Sequence, residues 1–146
     1  MFRAITLILF FASSVFAGES QFLTVFINHD EGQICLLDIE DGDEDGKVLF
    51  ERPKGVTLSS ATIAVNQMGQ AAVAWVESSR CYTSFYDGSW SDPVVVSDPV
   101  LKVFSTPSLT MDSEYDLSIV YLATGDESLT FLQINHLQGT SWTGPE

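Results

Sequence analysis

The sequence is poor in basic residues, and this shortage restricts the partners that the protein can have. Only 6 Lys and Arg residues stand against 20 Asp and Glu residues, which gives a formal net charge of −14. Such a surface repels nucleic-acid phosphates and anionic membranes, so neither is expected as a partner. The same charge suits a cationic ligand, a cation-rich surface or Ca²⁺, or it only keeps an exported protein in solution.

Sequence signatures of several common catalytic and cofactor sites are also lacking. The chain has no C-x-x-C pair, no G-x-S-x-G segment and no glycine-rich phosphate loop. A thiol redox centre, a serine-hydrolase elbow and a nucleotide site therefore have no candidate residues. These absences favour a non-catalytic protein.

The only long apolar run is too short to span a bilayer and lies at the N-terminus. Arg3 precedes an apolar stretch at 5–16, and V-F-A at 15–17 has the small residues that a signal peptidase recognises. We therefore expect residues 1–17 to be a signal peptide that is cleaved before Gly18, although a retained anchor is an alternative. The mature chain is then secreted, periplasmic or on the cell surface.

An internal repeat organises the rest of the chain. When the sequence is shifted by about 46 residues, the segment at 61–76 aligns without a gap on the segment at 107–122. The matched apolar pairs are Ile63 with Leu109, Val65 with Met111, Val73 with Ile119, Trp75 with Tyr121 and Val76 with Leu122. Downstream, GSWSDP recurs as TSWTGP, and a weaker third copy begins with FLTVFIN at 22–28.

Each repeat is predicted to contain four short strands separated by turns. The first strand alternates apolar and polar residues, and the second, at 71–76, is apolar at nearly every position, which is typical of a strand covered on both faces. The third strand is predicted at 81–86 or 129–135, and Asp87-Gly88 and Gln138-Gly139 then supply turn chemistry.

Prolines mark the fourth strand of each repeat as an edge. Pro93 and Pro145 cannot donate a ladder hydrogen bond, so an inner strand cannot hold them. Four-stranded antiparallel units with one buried strand, one edge and this period describe the blades of a β-propeller. We therefore predict an all-β fold, a partial β-propeller at 18–146, with units at about 18–56, 57–102 and 103–146.

The two tryptophan turns resemble the Asp-box, Ser-x-Asp-x-Gly-x-Thr-Trp, of sialidase-like β-propellers. Ser84, Asp87, Gly88 and Trp90 approximate that pattern with a contracted loop. The second copy keeps Gly139, Ser141 and Trp142, while Gln138 and Asn135 stand at the acidic and serine positions. The resemblance implies a propeller fold, in which this box is a structural turn far from any catalytic centre.

The number of repeats is below that of a closed propeller. Three units fall short of the usual range of about 4–8 blades. We expect a fragment or remnant of a longer propeller, self-association that completes the ring, or an open two-sheet arrangement.

The sharpest local motif is an acidic loop. Asp41, Asp43, Asp45 and Gly46 match the D-x-D-x-D-G start of a calcium loop, in which alternate carboxylates converge on one cation. Leu49 and Arg52 occupy positions at which known versions of the loop place an acid. The pattern predicts a Ca²⁺ site at Asp41, Asp43 and Asp45, or otherwise a solvated hairpin turn.

Cysteine and histidine offer two further candidate sites. Cys35 and Cys81 fall near matching places in two repeats, so they could form a disulfide across neighbouring sheets, or else they are two buried thiols. His29 and His136 flank turns and could hold a metal with Asp30 or Glu31, although solvated turn histidines are the alternative.

These observations favour an exported non-catalytic binding module that recognises a protein or a glycan through loops on one face. Tyr86 and Tyr115 are the candidate contact residues. One alternative is a fragment of a sialidase-like glycoside hydrolase, but the resemblance implies a clamp of three arginines and the mature chain has only Arg52 and Arg80. Another is a structural or adhesion segment that calcium stabilises.

Overall fold

The fold consists of three antiparallel β-sheets. The structure is a computed structural model that describes residues 23–38, 46–112, 114, 116–125, 129–138 and 141–143. The first sheet contains β1 (Leu23–Asn28), β2 (Gln33–Asp38) and β3 (Lys47–Glu51). The second sheet contains β4 (Leu58–Val65), β5 (Ala71–Glu77), β6 (Arg80–Tyr86) and β7 (Val94–Val95). The third sheet contains β8 (Lys102–Val103), β9 (Ser108–Met111), β10 (Leu117–Thr124), β11 (Thr130–Gln138) and β12 (Ser141–Trp142).

The all-β prediction is confirmed for the described residues. Among them, only the second sheet has the predicted four strands. The first sheet has three described strands, and the third has five because β8 and β9 both pair with one edge of β10. Between them the Ser105 hydroxyl accepts a hydrogen bond from the Leu122 N–H at 2.8 Å, and Pro107 has no N–H to offer. One long first strand is therefore divided into two.

Strand β5 is the buried strand that its apolar run predicts. All of its residues are buried, since one face packs on the first sheet and the other on the third. Val73 and Trp75 join Val25 and Ile34 of the first sheet in one apolar cluster. On the opposite face, the apolar neighbours come from both the second and third sheets: Ala74, Val76, Cys81, Ile119, Tyr121 and Ala123.

The edge position that Pro93 predicts is also confirmed. Pro93 directly precedes β7, which pairs only with β6 and forms the outer edge of the second sheet. A residue without an N–H is tolerated there because no further strand needs that donor. Pro145, its counterpart in the sequence, lies outside the described residues.

The turns after β4 and β9 share two side-chain-to-backbone hydrogen bonds. The Oδ1 atom of Asn66 accepts from the N–H groups of Met68 and Gln70, at 2.9 and 3.1 Å. The Oδ1 atom of Asp112 accepts from those of Glu114 and Asp116, at 2.8 and 2.9 Å. In both turns a side-chain oxygen therefore fixes the backbone of the loop.

One of these two turns is also bonded directly to the other. The Nδ2 atom of Asn66 donates to the Asp112 carbonyl at 3.0 Å, across 46 residues of sequence. The same amide group donates to the Gln70 side chain at 2.6 Å, and Asn66 is buried. The Asn66 side chain therefore both donates and accepts hydrogen bonds, whereas the exposed Asp112 side chain only accepts them.

We predict that exchanging amide and carboxylate at these two positions has unequal effects. Asn66→Asp should lower the free energy of unfolding by about 1–3 kcal/mol, because it removes two donated bonds and buries a charge. The reverse exchange, Asp112→Asn, should change it by less than about 0.5 kcal/mol, because the accepting oxygen is kept. Urea unfolding of both variants measures this, and equal losses would contradict it.

Candidate functional site

The topology places several turns at one end of the sheets, which we call the turn end. It comprises the turns at 66–70 and 87–89, which follow β4 and β6 of the second sheet, and the turn that begins at Asp112 after β9 of the third. The bond from Asn66 to Asp112 shows that the second and third sheets share this orientation. At the opposite end, the Arg52 N–H donates to the Gly32 carbonyl at 2.9 Å, and the Arg52 side chain reaches Glu77. The last residue of β2 and the first residue of β3 therefore also lie at the turn end.

Charge is distributed unevenly between the two ends. Five exposed acidic side chains lie at or near the turn end: Asp87, Asp92, Asp112, Glu114 and Asp116. Among the described basic residues, Lys47 is at this end, and the others lie at the opposite end: Arg52, Lys54, Arg80 and Lys102. Among the described residues, the turn end therefore carries more net negative charge than the opposite end.

An aromatic pair accompanies these acids. Trp90 forms a bridge with Tyr86 next to the turn at 87–89, and their ring centroids are 5.4 Å apart. Trp90 also meets Phe50 of β3 edge-on at 6.2 Å, so it joins the second sheet to the first. Both Tyr86 and Trp90 are half-buried, which leaves part of each ring at the surface. Tyr115, the other predicted contact residue, lies outside the described residues.

The residues that follow Trp90 and Trp142 make the same set of hydrogen bonds. The N–H of Ser91 donates to the Phe85 carbonyl at 2.9 Å, and its hydroxyl accepts from the Phe85 N–H at 3.2 Å. Thr143 makes both bonds to His136, at 2.8 and 3.1 Å. The two tryptophan turns are thus anchored alike.

A polar side chain completes each of these turns. The Ser84 hydroxyl donates to the Ser91 carbonyl at 2.7 Å, and the Asn135 amide donates to the Thr143 carbonyl at 3.2 Å. Asn135 therefore occupies the structural place of Ser84. Its amide also donates to the Val96 carbonyl at 3.0 Å, and its Oδ1 accepts from the buried Tyr121 hydroxyl.

Arg52 and Glu77 form an ion pair where the first and second sheets meet. Arg52 Nε and Nη2 donate to the two carboxylate oxygens at 2.6 and 2.9 Å, and the side chains are 19% and 8% exposed. The guanidinium carbon lies 5.6 Å from the ring centroid of Tyr82, and Trp75 Nε1 donates to Glu77 at 3.3 Å. The hydrogen bonds to Glu77 raise the pKa of Arg52, against the opposing effect of burial. The sequence signal for this pair is weak: a single acid ends the apolar run AAVAWVE.

The second arginine of the described residues is also engaged in the fold. Arg80 Nη2 donates to the Pro99 carbonyl at 3.0 Å, in an exposed contact. Arg52 and Arg80 thus contact the protein itself at the end opposite the acidic turns.

The two predicted histidine ligands are not brought together. His29 is exposed in the β1–β2 turn at the opposite end, whereas His136 lies on β11 with Nδ1 2.7 Å from the Ser118 hydroxyl. Among the described residues, no three Asp, Glu, His or Cys side chains are grouped so that they could hold a metal. Asp41, Asp43 and Asp45 lie outside the described residues, and calcium binding there stays a prediction.

Both cysteines are free and buried in the structure. Cys81 packs against the third sheet, while Cys35 pairs with Phe26 on the face of the first sheet that points away from the second. The two thiols therefore point away from each other with sheets between them, and the structure does not contain the disulfide that the sequence allowed. Burial raises the pKa of Cys35, and it raises that of Cys81 to about 12.

Comparison of the chain with protein-family models, with curated proteins and with solved structures finds no match. No helix in the described part of the chain is long and apolar enough to cross a membrane.

We predict that the two arginines differ in their contribution to stability. Arg52→Ala should lower the free energy of unfolding by about 2–4 kcal/mol, because it leaves the buried Glu77 carboxylate without its partner. Arg80→Ala, the matched control, should cost less than about 0.5 kcal/mol because its contact is exposed. Urea unfolding compares them, and similar losses would show that the ion pair does not hold the two sheets.

We predict a loss of stability in alkaline solution that depends on Cys81. The folded thiol keeps its proton up to a pKa of about 12, whereas its ordinary value is 9.0. Above pH 9 the unfolded chain releases this proton first, so the free energy of unfolding falls as pH rises, by at most about 1.4 kcal/mol per pH unit.

Replacement of this thiol tests the prediction. Thermal unfolding of wild type and Cys81→Ala between pH 8 and pH 11 should show a shallower decline for the variant. Burial also raises the pKa of Tyr121 to about 12, so some decline should persist above pH 10. Identical pH profiles of the two proteins would contradict the prediction, because they would mean that folding does not raise the pKa of Cys81.

Proposed function

We propose that the protein is an exported, non-catalytic module of the β-propeller type that binds a protein or glycan ligand at its turn end. The observation that carries this proposal is the turn end itself, where five exposed acidic side chains lie at the same end of the sheets as the half-buried pair of Tyr86 and Trp90. Aromatic faces and carboxylates together suit a ligand with positive charge and apolar or sugar surfaces.

The propeller-type architecture is supported by the way in which the sheets repeat. Each neighbouring pair of sheets packs through the same two faces, and the turns that begin at Asn66 and Asp112 have equivalent bonds. The turns after Trp90 and Trp142 are anchored alike. The resemblance to sialidase-like propellers agrees with this arrangement.

The glycoside-hydrolase alternative receives less support from the described residues. Arg52 is bonded to Glu77, and Arg80 is bonded to the Pro99 carbonyl, so both guanidinium groups are engaged within the fold. They also lie away from the acidic turns. The calcium-stabilised adhesion segment depends on Asp41, Asp43 and Asp45 and is kept as a second hypothesis.

The proposal predicts that charge reversal at the turn end weakens binding, while the same reversal at the opposite end does not. The double variant Glu114→Lys/Asp116→Lys should weaken binding at least about tenfold, because both exposed acids attract the ligand. Asp30→Lys/Glu31→Lys is the matched control with the same change in net charge and should bind as wild type does.

The measurement is a glycan array together with a panel of basic and neutral peptides, followed by titration of each positive probe at low and high salt. Binding that weakens with salt and with the turn-end variant supports the proposal. The proposal is contradicted if no probe binds. It is also contradicted if the two variants weaken binding equally, because attraction by net charge alone would not distinguish the two ends.

A further inference from the structure

The three sheets stack in one direction, and no other sheet of the described residues covers the last face of the stack, which we call the open face. Leu23, Val25 and Ile27 of β1 pack on the second sheet, and Ala72, Ala74 and Val76 of β5 pack on the third. The equivalent positions of β10 are Ser118, Val120 and Leu122. They point away from the second sheet, because the alternate residues of β10 are the buried ones.

The middle of this open face is apolar, while Ser118 and His136 lie at its turn end. Val120 lies opposite Ile134 of β11, and Leu122 lies opposite Leu132. Leu132 is 58% exposed, whereas Ala74, on the covered face of the second sheet, is fully buried. Apolar side chains on one sheet face are stabilised when another sheet packs on them.

The other side of each sheet carries an aromatic residue at one repeated position. Trp75 of β5 packs against the first sheet and stacks on Phe50 at 5.2 Å. Tyr121 of β10 packs against the second sheet, with its hydroxyl 3.4 Å from the Val96 carbonyl. Phe26 holds this position in β1, and in the described part of the chain no other sheet covers it.

The face around Phe26 is therefore the counterpart of the open face on the third sheet. Phe26 lies opposite Cys35, which lies opposite Val48 of β3. Val48 is 41% exposed and Phe26 is half-buried beside Gly46. A Cβ atom at Gly46 would lie 2.8 Å from the Phe26 ring, so the chain passes close to this aromatic residue.

We propose that the occupant of the open face is a second copy of this chain, whose first sheet packs through Phe26 and Val48 on Val120, Leu122 and Leu132. Two copies related in this head-to-tail manner form the same contact twice. The described residues of two copies bring together six sheets, within the range of about 4–8 that closed propellers contain, whereas those of one copy form three. This inference rests on the propeller-type arrangement proposed above.

Charge sets the conditions for this association. Each copy has a net charge of −14, so the copies repel one another, and salt weakens that repulsion. The dimer should therefore be more stable at high salt than at low salt. A contact held mainly by ion pairs would show the opposite dependence.

The test is sedimentation velocity of the full chain, expressed with its own leader and purified from the exported fraction, over a concentration series at two salt concentrations. We expect a dimer. Leu132→Glu on the third sheet and Val48→Glu on the first should each raise its dissociation constant at least about tenfold, because each charge enters an apolar contact. Met68→Glu, at an exposed turn residue away from both faces, is the control and should leave it unchanged.

Each result decides between the arrangements. A monomer at every concentration overturns the proposal, as does a dimer that resists Leu132→Glu. A dimer that is sensitive to Leu132→Glu but not to Val48→Glu joins two third sheets symmetrically and overturns the head-to-tail contact. Ligand titration of the same samples separates the two proposals, since a monomer that binds its ligand retains the proposed function and loses only the ring.

Discussion

The structure depends on the burial of β5 between two sheets. A strand with both faces covered must be apolar on both, and the segment AAVAWV meets this requirement with small residues on one face and Val73 and Trp75 on the other. Ala72 and Ala74 pack against the third sheet, and the indole of Trp75 packs against the first.

Two buried polar side chains at these interfaces, those of Glu77 and Asn135, have hydrogen-bond partners. Glu77 is buried at the end of β5, but Arg52 and Trp75 together occupy its carboxylate oxygens. Asn135 is buried in the third sheet and reaches the Val96 carbonyl of the second, next to the Tyr121 hydroxyl. Such bonds cost little when complete and much when one partner is missing, so they fix which sheet packs against which.

The sequence was sufficient to predict the repeating elements because each has a local physical cause. The apolar run at 71–76 predicted the buried strand, and Pro93 predicted the edge. The shift of about 46 residues aligned Asn66 with Asp112 in sequence, and the structure shows that these two residues are also bonded. Contacts between residues that are distant in sequence had no local cause from which they could be predicted. The Arg52–Glu77 pair joins two sheets through residues that are unremarkable in sequence, and the division of the first strand into β8 and β9 follows from where Ser105 meets Leu122. Likewise, matching places in two repeats suggested that Cys35 and Cys81 could meet, but alternation along β2 and β6 turns them to faces that do not.

The sheets pack against one another and the turns carry exposed side chains, which is why we propose that the ligand binds at the turn end. Asn66 and Asp112 fix their turns with their own side chains, so the backbone conformation there does not depend on the residues at the tips. Tip side chains such as Met68 and Glu114 are exposed and can change with little cost to folding. The sheet faces have no such freedom, because each residue there must match the next sheet. Selection for a ligand can therefore act on the acidic tips of this scaffold while the apolar faces remain under selection for packing alone.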